Sequence, residues 1–209
     1  MKIGIDLALR KIGITVLDDN DNLIDFILFD SDSKKYNNEE LLIFNSVRVS
    51  GFLGKYYWQD WKEGVVQKNI NIALEGLSFN SPSQQVDLID ANHWRVRCDI
   101  KASYPESNLI IKHPKSWQKN ILTKDILSEW AKQWPIIRAK RGMKLTKEQQ
   151  SSNNKSKAEI RKLSKQYIYD KLPKDAKDRF DKYISDNKIK SDAKFDLSDS
   201  YWIAFYGCK

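Results

Sequence analysis

The stretch that most constrains the fold is residues 1–13, in which apolar residues alternate with small or charged ones. The alternating pairs are Lys2–Ile3, Gly4–Ile5 and Asp6–Leu7. This period of two predicts a β-strand with two different faces. Asp6 interrupts the apolar pattern, and because a lone buried carboxylate is unstable, it needs a partner. A divalent cation is one such partner; the alternative is that Asp6 only ends the strand or caps a turn.

Four further strands are predicted downstream of the first. They are Lys11–Leu17, Leu23–Phe29, Ile70–Glu75 and Asn108–Lys112, each with an apolar centre. Residues 18–22 read Asp-Asp-Asn-Asp-Asn and form a turn between the second and third strands. The chain therefore opens with two consecutive hairpins, and the strands as a whole predict an α/β fold.

Helical spacing of apolar residues predicts helices between and after these strands. The predicted helices run from about residue 39 to 66, from Ser81 or Ser83 to Ile100, from Pro114 to Ile121, from about Lys157 to Leu172, and from Phe195 to Tyr206. The polar run Gln149–Asn154 is predicted to interrupt helical structure. We interpret residues 123–154 as a basic insertion in a single domain that spans residues 1–209.

Charge and composition narrow the class of protein. The formal charge is +8 and the pI is about 9.3, which favours a polyanionic partner. Cys98 and Cys208 form neither a disulfide framework nor a zinc pattern, so we expect a reducing compartment. The sequence has no apolar run near the ~20 residues of a membrane span. A soluble, cytoplasmic protein is expected, and its small size would suit a viral or mobile-element relative.

Four acidic residues occupy matching places in the predicted elements. Asp6 lies in the first strand, Glu75 ends the fourth, and Asp196 and Asp199 share a face in the first turn of the last helix. If the first and fourth strands are neighbours and the last helix starts over their ends, these carboxylates converge. Hard oxygen ligands select Mg²⁺ or Mn²⁺. Two such ions roughly 3.5–4 Å apart could clamp a phosphodiester.

Three motifs in chain order resemble those of one family. Gly4–Gly13 is similar to a first-strand motif in which Gly-Ile-Asp is followed by Pro-Gly, Arg and Gly. Ala73–Glu75 resembles the family's fourth strand, and Asp196–Ser200 resembles its closing D-x-x-D helix. The family is the RuvC-type Holliday-junction resolvases, within the RNase H-like nuclease superfamily. The chain departs from the family in three ways. Leu7–Ala8 replaces Pro-Gly, and the basic insertion is additional. The glycine-rich turn before the family's late lysine is missing.

This resemblance implies an RNase H-like mixed five-stranded sheet flanked by helices. It implies a homodimer, joined through the helix that holds Val86 to Ile100, which cuts four-way DNA junctions with two Mg²⁺ or Mn²⁺ ions per site. Asp6, Glu75, Asp196 and Asp199 are then the catalytic, metal-binding residues.

The resemblance also suggests where DNA is bound. Lys119 and Lys157 match basic DNA-contacting positions, and Phe79 falls where the family carries an aromatic residue near the junction bases. With Lys115 and Arg10, the two lysines would neutralise phosphates. For each lysine the alternative is a solvated surface charge, and for Phe79 it is local burial in its loop. His93 and His113 lie outside the four-acid pattern and are interpreted as structural.

Two other readings of the sequence stay open. Actin-like ATPases and sugar kinases also begin with a strand bearing Asp in a Gly-Ile-Asp context. They normally carry Gly two residues after that Asp to approach phosphate, and this chain has Ala8 there. The third reading is a catalytically silent nucleic-acid-binding relative, although all four acids are present.

Overall fold

The computed structural model describes residues 1–31, 36–62, 70–76, 86–139 and 143–208, with the backbone only at 58–62. In those residues the strands are β1 (Lys2–Leu7), β2 (Lys11–Leu17), β3 (Leu23–Asp30), β4 (Asn71–Glu75) and β5 (Asn108–Lys112). The helices are α1 (Asn38–Lys62), α2 (Val86–Ser103), α3 (Pro114–Gln118), α4 (Lys124–Gln133), α5 (Lys147–Asp170), α6 (Lys174–Asp186) and α7 (Lys194–Gly207).

The strands form one mixed sheet in the order β3-β2-β1-β4-β5. β1, β2 and β3 are antiparallel neighbours, as the two predicted hairpins require, whereas β4 and β5 run parallel to β1. This mixed five-stranded sheet with helices on both faces is the arrangement of RNase H-like proteins. The predicted fold class is confirmed.

Each face of the sheet has its own apolar core. On one face Ile3, Ile5 and Leu7 of β1 pack in a cluster with residues of α1 and α2. On the other face α7 lies at the centre of a second cluster, which also takes in α5, α6 and the short helix α3. The period of two in β1 therefore leaves Lys2, Gly4 and Asp6 on the α7 side.

Small residues let α7 lie very close to the sheet. A Cβ atom on Gly4 would stand 2.1 Å from the Ser200 carbonyl oxygen, and one on Gly13 would stand 2.5 Å from the Asp196 carbonyl oxygen. Next to these contacts the Thr15 and Ser200 hydroxyl groups form a buried hydrogen bond of 2.7 Å. The glycines of β1 and β2 thus set how near the first turn of α7 comes to Asp6.

The predicted interruption at Gln149–Asn154 is wrong. α5 runs unbroken from Lys147 to Asp170 because a capping box begins it, with the Thr146 side chain on the Gln149 amide and the Gln149 side chain on the Thr146 amide. The helix predicted to begin near Lys157 therefore starts ten residues earlier. Residues 63–69 and 77–85, including Phe79 and the predicted helix start at Ser81 or Ser83, lie outside the described residues.

The basic segment predicted as an insertion is anchored to the domain at its base. Trp130 of α4 packs edge-on against Tyr167 of α5, with ring centroids 5.8 Å apart, and both side chains adjoin the α7-side core. Within the described ranges, no helix combines the length and apolar character that crossing a membrane requires.

Candidate active site

A cleft of about 510 Å³ opens where β1, β4, α3, α5 and α7 meet. Its charged lining residues are Asp6, Glu75, Asp196, Asp199, Arg161 and Lys165. All four acids that the sequence analysis selected therefore face one space, although they come from three distant parts of the chain. They are partly buried, which leaves them open to a ligand entering the cleft.

The alternation in two parallel strands explains how the first two acids meet. β1 and β4 pair in register, with Gly4 opposite Ala73 and Ile5 opposite Leu74. Asp6 and Glu75 follow at the same level and point to the same side of the sheet. Asp196 and Asp199, three residues apart at the start of α7, complete the group from above.

The carboxylates perturb one another strongly. Burial raises the pKa of Asp6 to about 6, and burial and the charge of Asp6 raise the pKa of Glu75 well above its usual range. Asp6 and Glu75 share a side-chain hydrogen bond, which lowers the pKa of Asp6 and raises that of Glu75. Burial and the charge of Asp6 likewise raise the pKa of Asp199. Carboxyl groups whose pKa values are raised in this way mark a place where a cation would be stabilised.

Two neighbours hold individual acids in place. The buried Trp117 indole donates its Nε1–H to Glu75 Oε1 at 3.4 Å, which leaves the other carboxyl oxygen for a second partner. Lys11 Nζ lies 3.7 Å from Asp196 Oδ2. Asp196 therefore lies beside a lysine side chain, whereas Asp6 and Glu75 are hydrogen-bonded to each other.

The sequence analysis missed two basic residues of the cleft, Arg161 and Lys165. The positive charge of Lys165 acts on Asp6, Asp196 and Asp199, and that of Arg161 acts on Asp199. Both lie on α5 at intervals of four residues from Lys157, so the three share a face of the helix. That spacing was visible in the sequence, since all three residues fall in the helix predicted from about Lys157 to Leu172, but no local pattern shows that this face of the helix meets the four acids.

The four described residues that were predicted to bind DNA are not among those that line the cleft. Lys115 and Lys119 are exposed, and Pro114 and Gln118 beside them in the chain do line the cleft. Lys157 is exposed on α5, and Arg10 is partly buried in the turn after β1.

His93 has a structural role, as expected. Its Nε2–H donates to the Leu7 carbonyl oxygen at 3.1 Å, and burial lowers its pKa to about 4, so it is neutral.

The donor set suits a hard divalent cation, since it consists of four carboxyl groups whose pKa values are raised by burial. Within the described ranges, however, no three acidic, histidine or cysteine side chains converge closely enough to form a complete metal site. Asp6 and Glu75 are hydrogen-bonded to each other, and Asp196 and Asp199 of α7 line the same cleft.

No protein-family model and no curated protein matches the chain. Solved structures do match it. The fold is similar to that of RuvC. A Thermus thermophilus RuvC structure is 11% identical, with a TM-score of 0.47, over 98% of this chain and 93% of that one. A second, of T. thermophilus RuvC in complex with Holliday junction substrate, is 12% identical, with a TM-score of 0.44, over 62% of this chain and 75% of the RuvC chain.

The raised pKa of Asp6 predicts a measurable pH effect. Because the folded protein holds this proton more tightly than the unfolded chain, ionisation of Asp6 reduces stability progressively between about pH 4 and pH 6, and the full loss is present above about pH 6. Asp6→Asn should therefore stabilise the protein without divalent cations by roughly 1–1.5 kcal/mol more at pH 7.5 than at pH 5. Thermal unfolding of both proteins in EDTA measures this difference.

The comparison with Asp6→Asn is needed because His93 titrates in the opposite direction. Its lowered pKa makes the folded state release a proton that the unfolded chain binds, so acidification destabilises both proteins equally. If Asp6→Asn changed the free energy of unfolding by the same amount at both pH values, the result would contradict a raised pKa for Asp6.

Proposed function

We propose that this protein is a divalent-metal-dependent, structure-selective endonuclease that cuts four-way DNA junctions. The observation that carries the proposal is the cleft, in which four carboxylates from β1, β4 and α7 face two cations from α5. Carboxylates supply ligands for metal ions, and the cations supply attraction for a phosphate that the carboxylates alone would repel. A hydrolase acting on an uncharged substrate would have no need of the second group.

Each residue of the cleft has a role in this proposal. Asp6, Glu75, Asp196 and Asp199 would hold the ions, two per site, whose chemistry is to activate water and stabilise the leaving oxygen. Arg161 and Lys165 would bind the non-bridging oxygens of the phosphodiester and hold it against the acids. Trp117 orients Glu75 through its indole hydrogen bond.

Outside the cleft, we propose that Arg10, Lys115, Lys119 and Lys157 bind DNA phosphates. The exposure of the three lysines and the position of Lys115 and Lys119 beside cleft-lining residues support this role. Phe79, four residues after Glu75, is proposed to contact bases at the crossover, where stacking is already weakened.

We further propose a homodimer joined through α2, since a two-fold dimer presents two sites to strands of opposite polarity. Trp94 is 64% exposed on this helix and Val86 is 51% exposed, and both would be covered by a second copy.

The proposal is tested with a synthetic four-way junction and a duplex of the same arm sequence, each with Mg²⁺ or with EDTA. We expect paired nicks near the crossover of the junction with Mg²⁺, little cutting of the duplex, and none in EDTA. Junction binding without cutting in Mg²⁺ or Mn²⁺ would favour the silent nucleic-acid-binding reading. Binding of neither DNA would refute the proposal altogether.

A further inference from the structure

A short segment between α4 and α5 presents apolar side chains to solvent. We call residues 134–139 the strap; every one of them is exposed, and they read Trp-Pro-Ile-Ile-Arg-Ala. Trp134 is 36% exposed, Ile136 44% and Ile137 40%. Three large apolar side chains so close together on the surface call for a partner.

The strap is held in a defined conformation by two buried polar residues of α5. The Ile137 amide donates to Asn153 Oδ1 at 2.7 Å, and Asn153 Nδ2 donates to the Ile137 carbonyl oxygen at 2.8 Å. The Ser156 hydroxyl donates to the Pro135 carbonyl oxygen at 3.1 Å. The contacts fix the backbone and leave the side chains outside, so the exposed apolar surface is pre-organised rather than incidental.

The surroundings of the strap are strongly basic. Residues 130–147 contain six Lys or Arg and no Asp or Glu. Those in the described ranges are Lys132, Arg138, Lys144 and Lys147, all of them exposed. Protein–protein interfaces are depleted in charged residues at their core, and lysine is depleted throughout. Apolar groups interleaved with unopposed cations instead match a nucleic acid, whose bases stack on apolar surfaces while its phosphates bind the cations.

The strap is connected to the cleft by a row of side chains along α5. Asn153, Lys157, Arg161 and Lys165 follow one another at intervals of four residues, so they form a single ridge on the helix. The ridge begins with Asn153, which is hydrogen-bonded to the strap, and ends with Arg161 and Lys165, which line the cleft. At 1.5 Å per residue the ridge is about 18 Å long. A DNA strand that rises about 3.4 Å per nucleotide along a duplex axis would cover that distance in roughly five nucleotides.

We infer that the strap is a second nucleic-acid contact, which binds an unstacked DNA base on Trp134 while Arg138 and the cations of α5 follow the strand from the cleft. This inference rests on the proposed function and adds to it a site outside the cleft. In the proposed substrate, a base about five nucleotides from the cleaved phosphate would be the one in contact with the strap.

The test measures binding of a fluorescently labelled four-way DNA junction by anisotropy, in EDTA and in the Asp6→Asn background so that no cutting occurs. We expect Trp134→Ala to weaken binding about fivefold or more, since loss of one base–aromatic stack costs about 1–3 kcal/mol. The slope of affinity against salt should not change, because no phosphate contact is lost. Arg138→Ala should instead lower that slope by about 0.9.

Matched variants separate stacking from general damage. Trp134→Phe keeps an aromatic face and should retain most of the affinity. Ile136→Ala should weaken binding, whereas Ile24→Ala, equally exposed at 44% on β3, should not. Asn153→Leu removes both hydrogen bonds to Ile137 without touching the strap surface and should reproduce the loss. If Asn153→Leu lowers the unfolding temperature, Ser156→Ala is the milder variant, since it removes only the hydrogen bond to the Pro135 carbonyl oxygen.

The outcomes distinguish this inference from the proposed function. Equal binding by Trp134→Ala and Ile24→Ala would overturn the inference while leaving junction cleavage intact. A change in sedimentation of Trp134→Ala with unaltered DNA affinity would overturn it in favour of an interface between two copies of the chain. Expected binding losses, together with no cutting by the wild-type protein in Mg²⁺, would support the strap and refute the nuclease.

Discussion

The Asp6→Asn protein is expected to bind a four-way junction as well as the wild type and to cut it at least about 1,000-fold more slowly. Asp6 lines the cleft, and its charge raises the pKa of both Glu75 and Asp199. Metal ions contribute several kcal/mol to phosphoryl-transfer transition states, and each 1.36 kcal/mol is a factor of ten in rate. Binding persists because the cations around the cleft remain. Single-turnover cleavage and anisotropy titration measure the two quantities separately.

Asp192→Asn is a matched control for this variant. Asp192 Oδ2 lies 3.9 Å from Lys11 Nζ, so Asp192 is near the same lysine as Asp196. Unlike Asp196, Asp192 is exposed and does not line the cleft. The change removes one negative charge from the same region and should leave the cleavage rate within about twofold of the wild type.

A second measurement on Asp6→Asn does not depend on activity. Mg²⁺ should raise the unfolding temperature of the wild type because ligands that bind only the folded state stabilise it. The rise should be much smaller for Asp6→Asn. Full Mg²⁺-dependent cutting by this variant, or an unchanged thermal shift, would remove Asp6 from the active site.

The second large effect is expected from Gly4→Ala, which adds one methyl group between β1 and α7. The new Cβ would lie 2.1 Å from the Ser200 carbonyl oxygen and 2.3 Å from the Ala204 amide nitrogen, so backbone has to move. Overpacking a core costs roughly 1–3 kcal/mol and sometimes more, and here no flexible side chain can yield. We expect a loss of about 3 kcal/mol, or roughly 6–12 °C in unfolding temperature for a protein of this size.

Gly4→Ala should also reduce cleavage far more than its loss of stability explains, since a displaced α7 carries Asp196 and Asp199 away from Asp6. Gly51→Ala in α1 is the control, because a Cβ there meets nothing within 4 Å. It should stabilise the helix by about 0.5–1 kcal/mol. Wild-type stability and cutting by Gly4→Ala would mean that α7 does not depend on this close approach.

The acids of the cleft could be predicted because strand alternation and helical spacing are local rules. Asp6 and Glu75 end up side by side through the period of two in β1 and β4, and Asp196 and Asp199 through the period of a helix. Two assumptions were non-local, namely that β1 and β4 are neighbours and that α7 starts over their ends. The sheet order bears out the first, and the shared cleft bears out the second.

The glycines of the sheet were not interpreted, although they matter as much as the acids. In the sequence Gly4 and Gly13 are only weak points in apolar strands, since glycine has no side chain to pack. Their purpose depends on which helix covers them, and α7 is about 190 residues further along the chain. No local pattern carries that information.

The error at Gln149–Asn154 has a different physical cause. Propensity disfavours a helix through consecutive Ser and Asn residues, because their side chains compete for backbone hydrogen bonds. In the structure Asn153 and Ser156 bond to the backbone of the strap instead, and Thr146 and Gln149 cap the first turn. Tertiary partners thus overrode a local preference, and the error at the helix start concealed that Asn153 continues the row of Lys157, Arg161 and Lys165.

The position of α7 in the chain also decides when, during synthesis, the cleft comes into being. A chain emerging from the ribosome makes β1 early, but Asp196 and Asp199 follow every strand of the sheet and α5 as well. Domains generally fold as units, and contacts between such distant segments are among the last to form. If the protein is the proposed nuclease, a nascent chain would therefore carry the basic α5 before Asp196 and Asp199 have been made. DNA binding would then precede cleavage, which would begin only once α7 has joined the sheet.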